Sequence, residues 1–217
     1  MTETWNYLVK GGVIMIPLLF SSILALAIFI LKVYQLRRKK VIIPEIVHVI
    51  ESIKNPEDID LAVAICKKNQ GAFANVIYAG LASKEMPRDE IKEAIIQQGR
   101  QETGTLERGL VALETIAGVA PLLGLLGTVL GMIDVFDIIS KADVILAKEL
   151  SGGISKALIT TVAGLSIGIP SLVAYNYLVS KAEHLILEIE KFSSTLMKKL
   201  RFFNNEWEVH GNRHAVS

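Results

Sequence analysis

Two threonines and one glutamate lie within or beside stretches of the chain that otherwise hold mostly apolar and small residues. Thr128 and Thr161 each lie inside a long uncharged stretch, and Glu114 directly precedes the first of the two. Hydroxyl and carboxyl groups can replace part of the water shell of an ion, and an ionisable side chain within a membrane is a functional candidate by default. These residues, together with Thr160, are therefore the candidates for an ion pathway.

The two threonines are expected at one depth in the membrane. Thr128 lies about eight residues before the outer end of a predicted outward-running span, and Thr161 about seven residues after the outer start of a predicted inward-running span. At a rise of about 1.5 Å per residue, both lie roughly 10–12 Å below the outer surface. Their hydroxyls could form a polar belt, or each could bond the carbonyl four residues earlier in its own helix. The sequence leaves both arrangements open.

Glu114 also has two interpretations. Helical spacing places this carboxyl on one face of its helix with the Thr128 hydroxyl, along the stripe Glu114, Gly118, Pro121, Leu125 and Thr128. Alternatively, Glu114 is an interfacial acid that extends toward water or pairs with Lys181, which is predicted at a similar depth.

Small residues recur through the second and third apolar stretches. Lipid supplies no hydrophobic drive for helices to associate, so close backbone approach and hydrogen bonds must hold the helices together. Glycines at four-residue spacing permit that approach. The predicted helix-packing residues are Gly124, Gly127, Gly131, Gly164 and Gly168, with Pro121 and Pro170.

Three stretches, 13–31, 115–133 and 157–180, contain no charged residue. About 20 apolar residues in a helix span the hydrocarbon core of a bilayer, and this chain is too short to bury three such helices in a soluble body. Strand signals are nearly absent. The sequence predicts an all-α, polytopic membrane protein with three transmembrane helices, in which long helices extend into a cytoplasmic helical domain.

Charge predicts the orientation, because basic residues follow the first and third stretches and positive charge collects on the cytoplasmic side of membrane proteins. The N-terminus is therefore predicted outside and the C-terminus in the cytoplasm. The predicted segments are an outward N-terminus (1–12), span one (13–33), a cytoplasmic helical domain (34–108), span two (109–136), an outward link (137–153), span three (154–180), and a cytoplasmic helix and tail (181–217).

Helix signals organise the predicted cytoplasmic part. Pro56 and Pro87 are placed to open helices. The helix from Pro87 shows no stop before span two, and its glycines, including Gly109, are expected to weaken it without breaking it. After span three, apolar residues at helical spacing predict one long helix: Leu185, Ile189, Phe192, Leu196 and Leu200.

Enzymatic chemistry has no support in the sequence. The four histidines are scattered without metal-ligand spacing, and the glycines of span two lack the strand and the Lys-Thr of a phosphate loop. No cofactor or metal is predicted. A net charge of +1 argues against a nucleic-acid partner, and the single cysteine, Cys66, cannot form an internal disulfide.

Two motifs resemble a known family. The stretch 120–132, APLLGLLGTVLGM, is similar to the second-span signature of the MotA/TolQ/ExbB proton-channel family. The stretch 153–161, GISKALITT, followed by Gly164-Leu165 and Ile169-Pro170, is similar to the third-span signature. The order of spans, the long cytoplasmic link and the chain length resemble the ExbB/TolQ branch, and the resemblance covers nearly the whole chain.

The resemblance implies a subunit of an ion-driven motor in the bacterial inner membrane. Five copies would form a ring around helices of an ExbD- or TolR-like single-span partner, whose aspartate takes up and releases the proton. The force would reach a TonB- or TolA-like protein. The positions that match the pore threonines of the family are Thr128 and Thr161. A self-sufficient ion channel or carrier, and a structural membrane scaffold without ion flux, are the competing hypotheses.

One position departs from the pattern. Well-known similar sequences carry glutamate where this chain has Lys156. If that position lined the pore, a ring of ammonium groups would repel cations unless partner carboxylates neutralised it. From the sequence, Lys156 is expected to extend outward toward water.

Overall fold

The computed structural model describes residues 12–53, 55–141 and 147–214, which carry eight helices. The predicted N-terminal segment before Gly12, and residues 142–146 of the predicted outward link, lie outside this part. The helices are α1 (Met15–Gln35), α2 (Arg38–Val41), α3 (Pro44–Ser52), α4 (Pro56–Lys68), α5 (Ala72–Ala82), α6 (Arg88–Glu107), α7 (Leu110–Lys141) and α8 (Ala147–His214).

Three of these helices are long and apolar enough to cross a membrane. They are α1, α7 and the Ser151–Leu200 part of α8. Each contains a stretch of about 20 apolar residues, the length that a bilayer core requires. The prediction of an all-α protein with three long apolar helices is confirmed.

The chain divides into two compact units. The first, here called the membrane unit, comprises Met1–Lys32 and Gly109–Leu178, and it contains the predicted ion pathway. The second, here called the helical unit, comprises Val33–Arg108 and Val179–Ser217.

The core of the membrane unit lies where α1 packs on the other two long helices. Leu18 of α1 and Ala120 of α7 are fully buried, and partly buried residues surround them: Ile14, Leu123, Ala163 and Ile167. Close packing of small and branched side chains holds helices together where lipid competes for the same apolar surface.

The helical unit has a conventional apolar core. Phe73 of α5 is fully buried and lies against Phe192 of α8, with ring centroids 5.5 Å apart. α4 begins as predicted at Pro56, behind a capping box formed by Asn55 and Asp58. The long continuation of α8 buries the expected apolar face: Leu185, Ile189, Leu196 and Leu200.

The expectation that no break separates the helix from Pro87 and span two is wrong. α6 ends at Glu107 and α7 begins at Leu110. Gly109 between them has φ +90°, a left-handed conformation that glycine adopts without a steric cost. A helix cannot continue through such a residue, so this glycine separates the two helices.

Candidate functional site

The hydroxyls of Thr128 and Thr161 contact each other. Thr128 lies on α7 and Thr161 on α8, and the two Oγ1 atoms share a hydrogen bond. Each hydroxyl also reaches the carbonyl oxygen of Gly124, at 3.3 Å from Thr128 and 3.2 Å from Thr161. The Thr128 hydroxyl lies 3.4 Å from the carbonyl of Ala157 as well. Both arrangements left open by the sequence therefore occur together: the threonines meet, and Thr128 also bonds its own helix.

Glycines bring the two helices close enough for this contact. A Cβ added to Gly124 would lie 2.9 Å from the carbonyl oxygen of Thr160, and one added to Gly164 would lie 2.5 Å from that of Ala120. Both neighbours are backbone atoms, which cannot rotate away. The contact surface between α7 and α8, here called the seam, therefore requires glycine at these two positions.

The close contacts between α7 and α8 continue toward both ends of these two helices. A Cβ at Gly131 would lie 2.8 Å from the Cβ of Ala157, and one at Gly168 would lie 2.5 Å from the ring of Pro121. The order of these contacts makes α7 and α8 antiparallel. Pro170 lies elsewhere: it is exposed and lines an open cleft of about 740 Å³ beside α1, together with Ala25, Phe29 and other residues.

Thr160 belongs to the seam and not to the threonine pair. Its side chain is 1% exposed, and its hydroxyl donates to the carbonyl of Ala157 at 2.7 Å. Its Cβ fills the space that a side chain at Gly127 would need. The structure thus places this predicted pathway residue among the packing residues.

The threonine pair lies on the side of the seam that faces away from α1. The residues that pack toward α1 are Leu123 on α7, and Ala163 and Ile167 on α8. Thr128 follows Leu123 by five residues and Thr161 precedes Ala163 by two, which turns them roughly 140° and 200° around their helix axes. We call the two sides of the seam the threonine flank and the α1 flank.

Glu114 is on α7 but far from the threonines. It is exposed, and Thr128 follows it by fourteen residues, which corresponds to about 21 Å along the helix. The structure therefore does not bring the predicted acid and the predicted hydroxyls into one site.

Sequence reasoning missed an ion pair near the outer end of the predicted spans. The ammonium of Lys156 lies 2.8 Å from a carboxylate oxygen of Asp134, which is on α7. Lys156 is thus paired within its own chain instead of extending outward alone. The available signal was an acid in the last turns of span two opposite a base in the first turns of span three.

Metal and thiol chemistry have no site in the described residues. Among them, no cluster of histidine, cysteine and carboxylate side chains could hold a metal ion. Cys66 is buried in α4 of the helical unit, and burial raises the pKa of its thiol to about 11. A protonated, buried thiol is unreactive at neutral pH.

The three apolar helices, with a hydroxyl pair in a glycine seam, define a multi-pass membrane protein with a polar site inside its membrane unit. A profile of the MotA/TolQ/ExbB proton channel family matches residues 68–191. The chain belongs to this family, as the two sequence motifs predicted.

Several relatives are biopolymer transport proteins of the ExbB type. The chain is 33% identical to the ExbB-like 3 protein of Synechocystis sp. over 174 residues, which cover 76% of this chain and 80% of that protein. It is 31% identical to the ExbB homolog of Methanothermobacter thermautotrophicus over 194 residues, covering 88% and 66%. It is 41% identical to ExbB of Aquifex aeolicus over 85 residues, covering 39% and 57%.

Proposed function

We propose that this chain is the ring-forming subunit of an inner-membrane motor in which ion flow along the threonine flank drives work. The observation that carries the proposal is the contact between the hydroxyls of Thr128 and Thr161, on a flank that α1 leaves uncovered. Each hydroxyl is hydrogen-bonded within its own chain, and its oxygen keeps acceptor capacity that lipid cannot use but a passing ion or water could.

The exposed surface of the membrane unit is open either to lipid or to further copies, and the ring is what the family resemblance implies. Large apolar side chains on α7 and α8 remain exposed in the single chain, among them Leu125, Val129, Leu158 and Leu165. Closing several copies side by side would cover part of this surface and turn the threonine flanks toward one axis. Five copies is the number that the family resemblance implies.

A second protein is needed to supply the group that carries the proton. The carboxylates of α7 within the predicted span are Glu114, about 21 Å from Thr128 along the helix, and Asp134, which is paired on the other flank. Threonine hydroxyls have no accessible pKa, so they can relay or bind an ion but cannot store a proton. An ExbD- or TolR-like single-span partner with an aspartate in its span fits this role, and a TonB- or TolA-like protein would receive the force.

The basic residues after α1 and after 180 support the proposed orientation, with the N-terminus outside and the helical unit in the cytoplasm. An ion-driven subunit needs this asymmetry, because the membrane potential acts in one direction across the pathway.

Reconstitution with and without the partner tests the proposal. The chain is purified from its own membranes, the mass and stoichiometry of the complex are measured, and proton flux is followed in liposomes. We expect a complex that contains several copies of this chain and fewer copies of a small single-span protein. Proton flux should occur only when that protein is present. Equal flux from the chain alone would identify a self-sufficient channel, and absence of flux from the intact complex would identify a scaffold.

A further inference from the structure

The side chain of Lys156 contacts two other segments of the membrane unit near the outer end. The Lys156 ammonium, from α8, forms its ion pair with Asp134 of α7 at 2.8 Å. The aliphatic part of the same side chain lies against Gly12, where an added Cβ would be 2.8 Å from Cε of Lys156. Gly12 directly precedes the first turn of α1 and has φ +70°. Lys156 therefore touches both other long segments of its unit.

The ion pair lies on the α1 flank. Asp134 follows Leu123 by eleven residues, which is three helical turns, and Lys156 precedes Ala163 by seven residues, which is two. Both spacings return a side chain to the same face of its helix. Leu123 and Ala163 pack toward α1, and so the pair is on the side of the seam opposite to the threonines.

We propose that Asp134 and Lys156 form an outer clasp, which positions α7 and α8 against each other and against the start of α1, and that Lys156 lies outside the ion pathway. The second half of this statement rests on the proposed function, because it assumes that the pathway follows the threonine flank. Asp134 and Lys156 are positioning residues, since they act on the pathway through the alignment of Thr128 and Thr161.

The charges explain why the clasp belongs on that flank. An unpaired ammonium in the pathway would repel cations, whereas an ammonium neutralised within its own subunit contributes little field there. The two side chains are 38% and 56% exposed, and ion pairs this exposed contribute little to folding stability. What the pair adds is a preference for one register of α7 and α8, the register in which the glycine contacts also fit. A slip of one turn between α7 and α8 would move the threonine hydroxyls about 5.4 Å apart.

Charge reversal and a charge swap test the clasp. Lys156→Glu sets two carboxylates against each other, and Asp134→Lys combined with Lys156→Glu restores an ion pair of opposite polarity. Alignment is measured as the disulfide yield of Thr128→Cys with Thr161→Cys in a Cys66→Ala background, since a disulfide requires closely placed Cβ atoms. Proton flux is measured separately in complexes that retain both threonines.

We expect Lys156→Glu to lower both the disulfide yield and the flux, and the swap to restore both. The neutral pair Asp134→Asn with Lys156→Met removes the ion pair without adding repulsion, so it should lower the disulfide yield and the flux less than Lys156→Glu does and keep the cation selectivity of the unaltered complex. Unchanged disulfide yield in Lys156→Glu would overturn the clasp. If Lys156→Met alone raises the cation flux, and the swap does not return the flux to its original value, Lys156 lies in the pathway. That result would overturn the claim that Lys156 lies outside it.

The two proposals fail in different ways. If the threonines do not carry the ion, Thr128→Val with Thr161→Val keeps full flux, while the disulfide yield still follows the charge reversal and the swap. If only the clasp is wrong, flux still depends on the threonines, and the disulfide yield is indifferent to the charges.

Discussion

The two flanks of the α7–α8 seam are built from the same two helices but carry opposite kinds of polar chemistry. The threonine flank holds two neutral hydroxyls and is not covered by α1, whereas the α1 flank holds the charged pair of Asp134 and Lys156 beside the start of α1. A hydroxyl costs far less to remove from water than an unpaired charge. The comparison teaches that the Asp134–Lys156 pair lies where it can organise helices, while the two hydroxyls lie on the flank where an ion could pass.

The largest effect is expected from a substitution that adds a side chain to the close contact between α7 and α8. In Gly164→Ala the new Cβ would meet the carbonyl oxygen of Ala120 at 2.5 Å, so the backbones must separate. We expect a loss of about 2 kcal/mol or more in stability, and failure to assemble. Thermal unfolding and size-exclusion chromatography in detergent would measure both.

Gly118→Ala is the matched control for this substitution. Gly118, on α7, is a glycine of the same membrane unit, and nothing lies within 4 Å of the Cβ that the substitution would add. The Gly118→Ala variant should therefore assemble normally. Equal damage from both substitutions would show that helix flexibility, and not the close approach in the seam, makes these glycines necessary.

A smaller effect is expected within the seam itself. Thr160→Val removes the hydrogen bond to the Ala157 carbonyl but keeps the shape that packs against Gly127. Stability should fall by about 1 kcal/mol, the usual net value of one buried hydrogen bond, and flux per complex should be retained. Denaturant titration and liposome flux would separate the two. Loss of flux at normal stability would return Thr160 to the pathway.

The smallest effect is expected at Glu114, near the start of α7. Glu114 is exposed and far from the hydroxyl pair, so Glu114→Gln should reduce proton flux only partly and leave the assembly intact. Flux at several pH values would measure this. Complete loss of flux in a normally assembled complex would mean that the essential group lies at Glu114 and not at the threonines.

Much of this arrangement could be predicted from the sequence, because its signals are local. Three uncharged stretches predicted the three long helices, and the spacing of Gly124, Gly164 and their neighbours predicted where two of them pack. Counting residues from the ends of the spans predicted that Thr128 and Thr161 lie at one depth, and their hydroxyls do meet.

The rest depends on contacts that spacing does not encode. Leu123 and Ala163 look like any lipid-facing residues in sequence, so the flank that α1 covers could not be predicted. Asp134 and Lys156 lie on different predicted spans, 22 residues apart in the sequence, so spacing along one helix could not pair them. Gly109 has a positive φ, whereas Gly99 and Gly104 lie within α6, and the residue type alone does not distinguish the three glycines.

The most direct measurement is proton flux through the partner-containing complex after Thr128→Val with Thr161→Val. Valine nearly keeps the shape of threonine and replaces its hydroxyl with a methyl group. Thr115→Val is the matched control, because Thr115 is an exposed threonine of α7 whose hydroxyl bonds the carbonyl of Val111. We predict that the double variant assembles with unchanged mass and loses its flux, while the control keeps both. Undiminished flux in the double variant would contradict an ion pathway along the threonine flank.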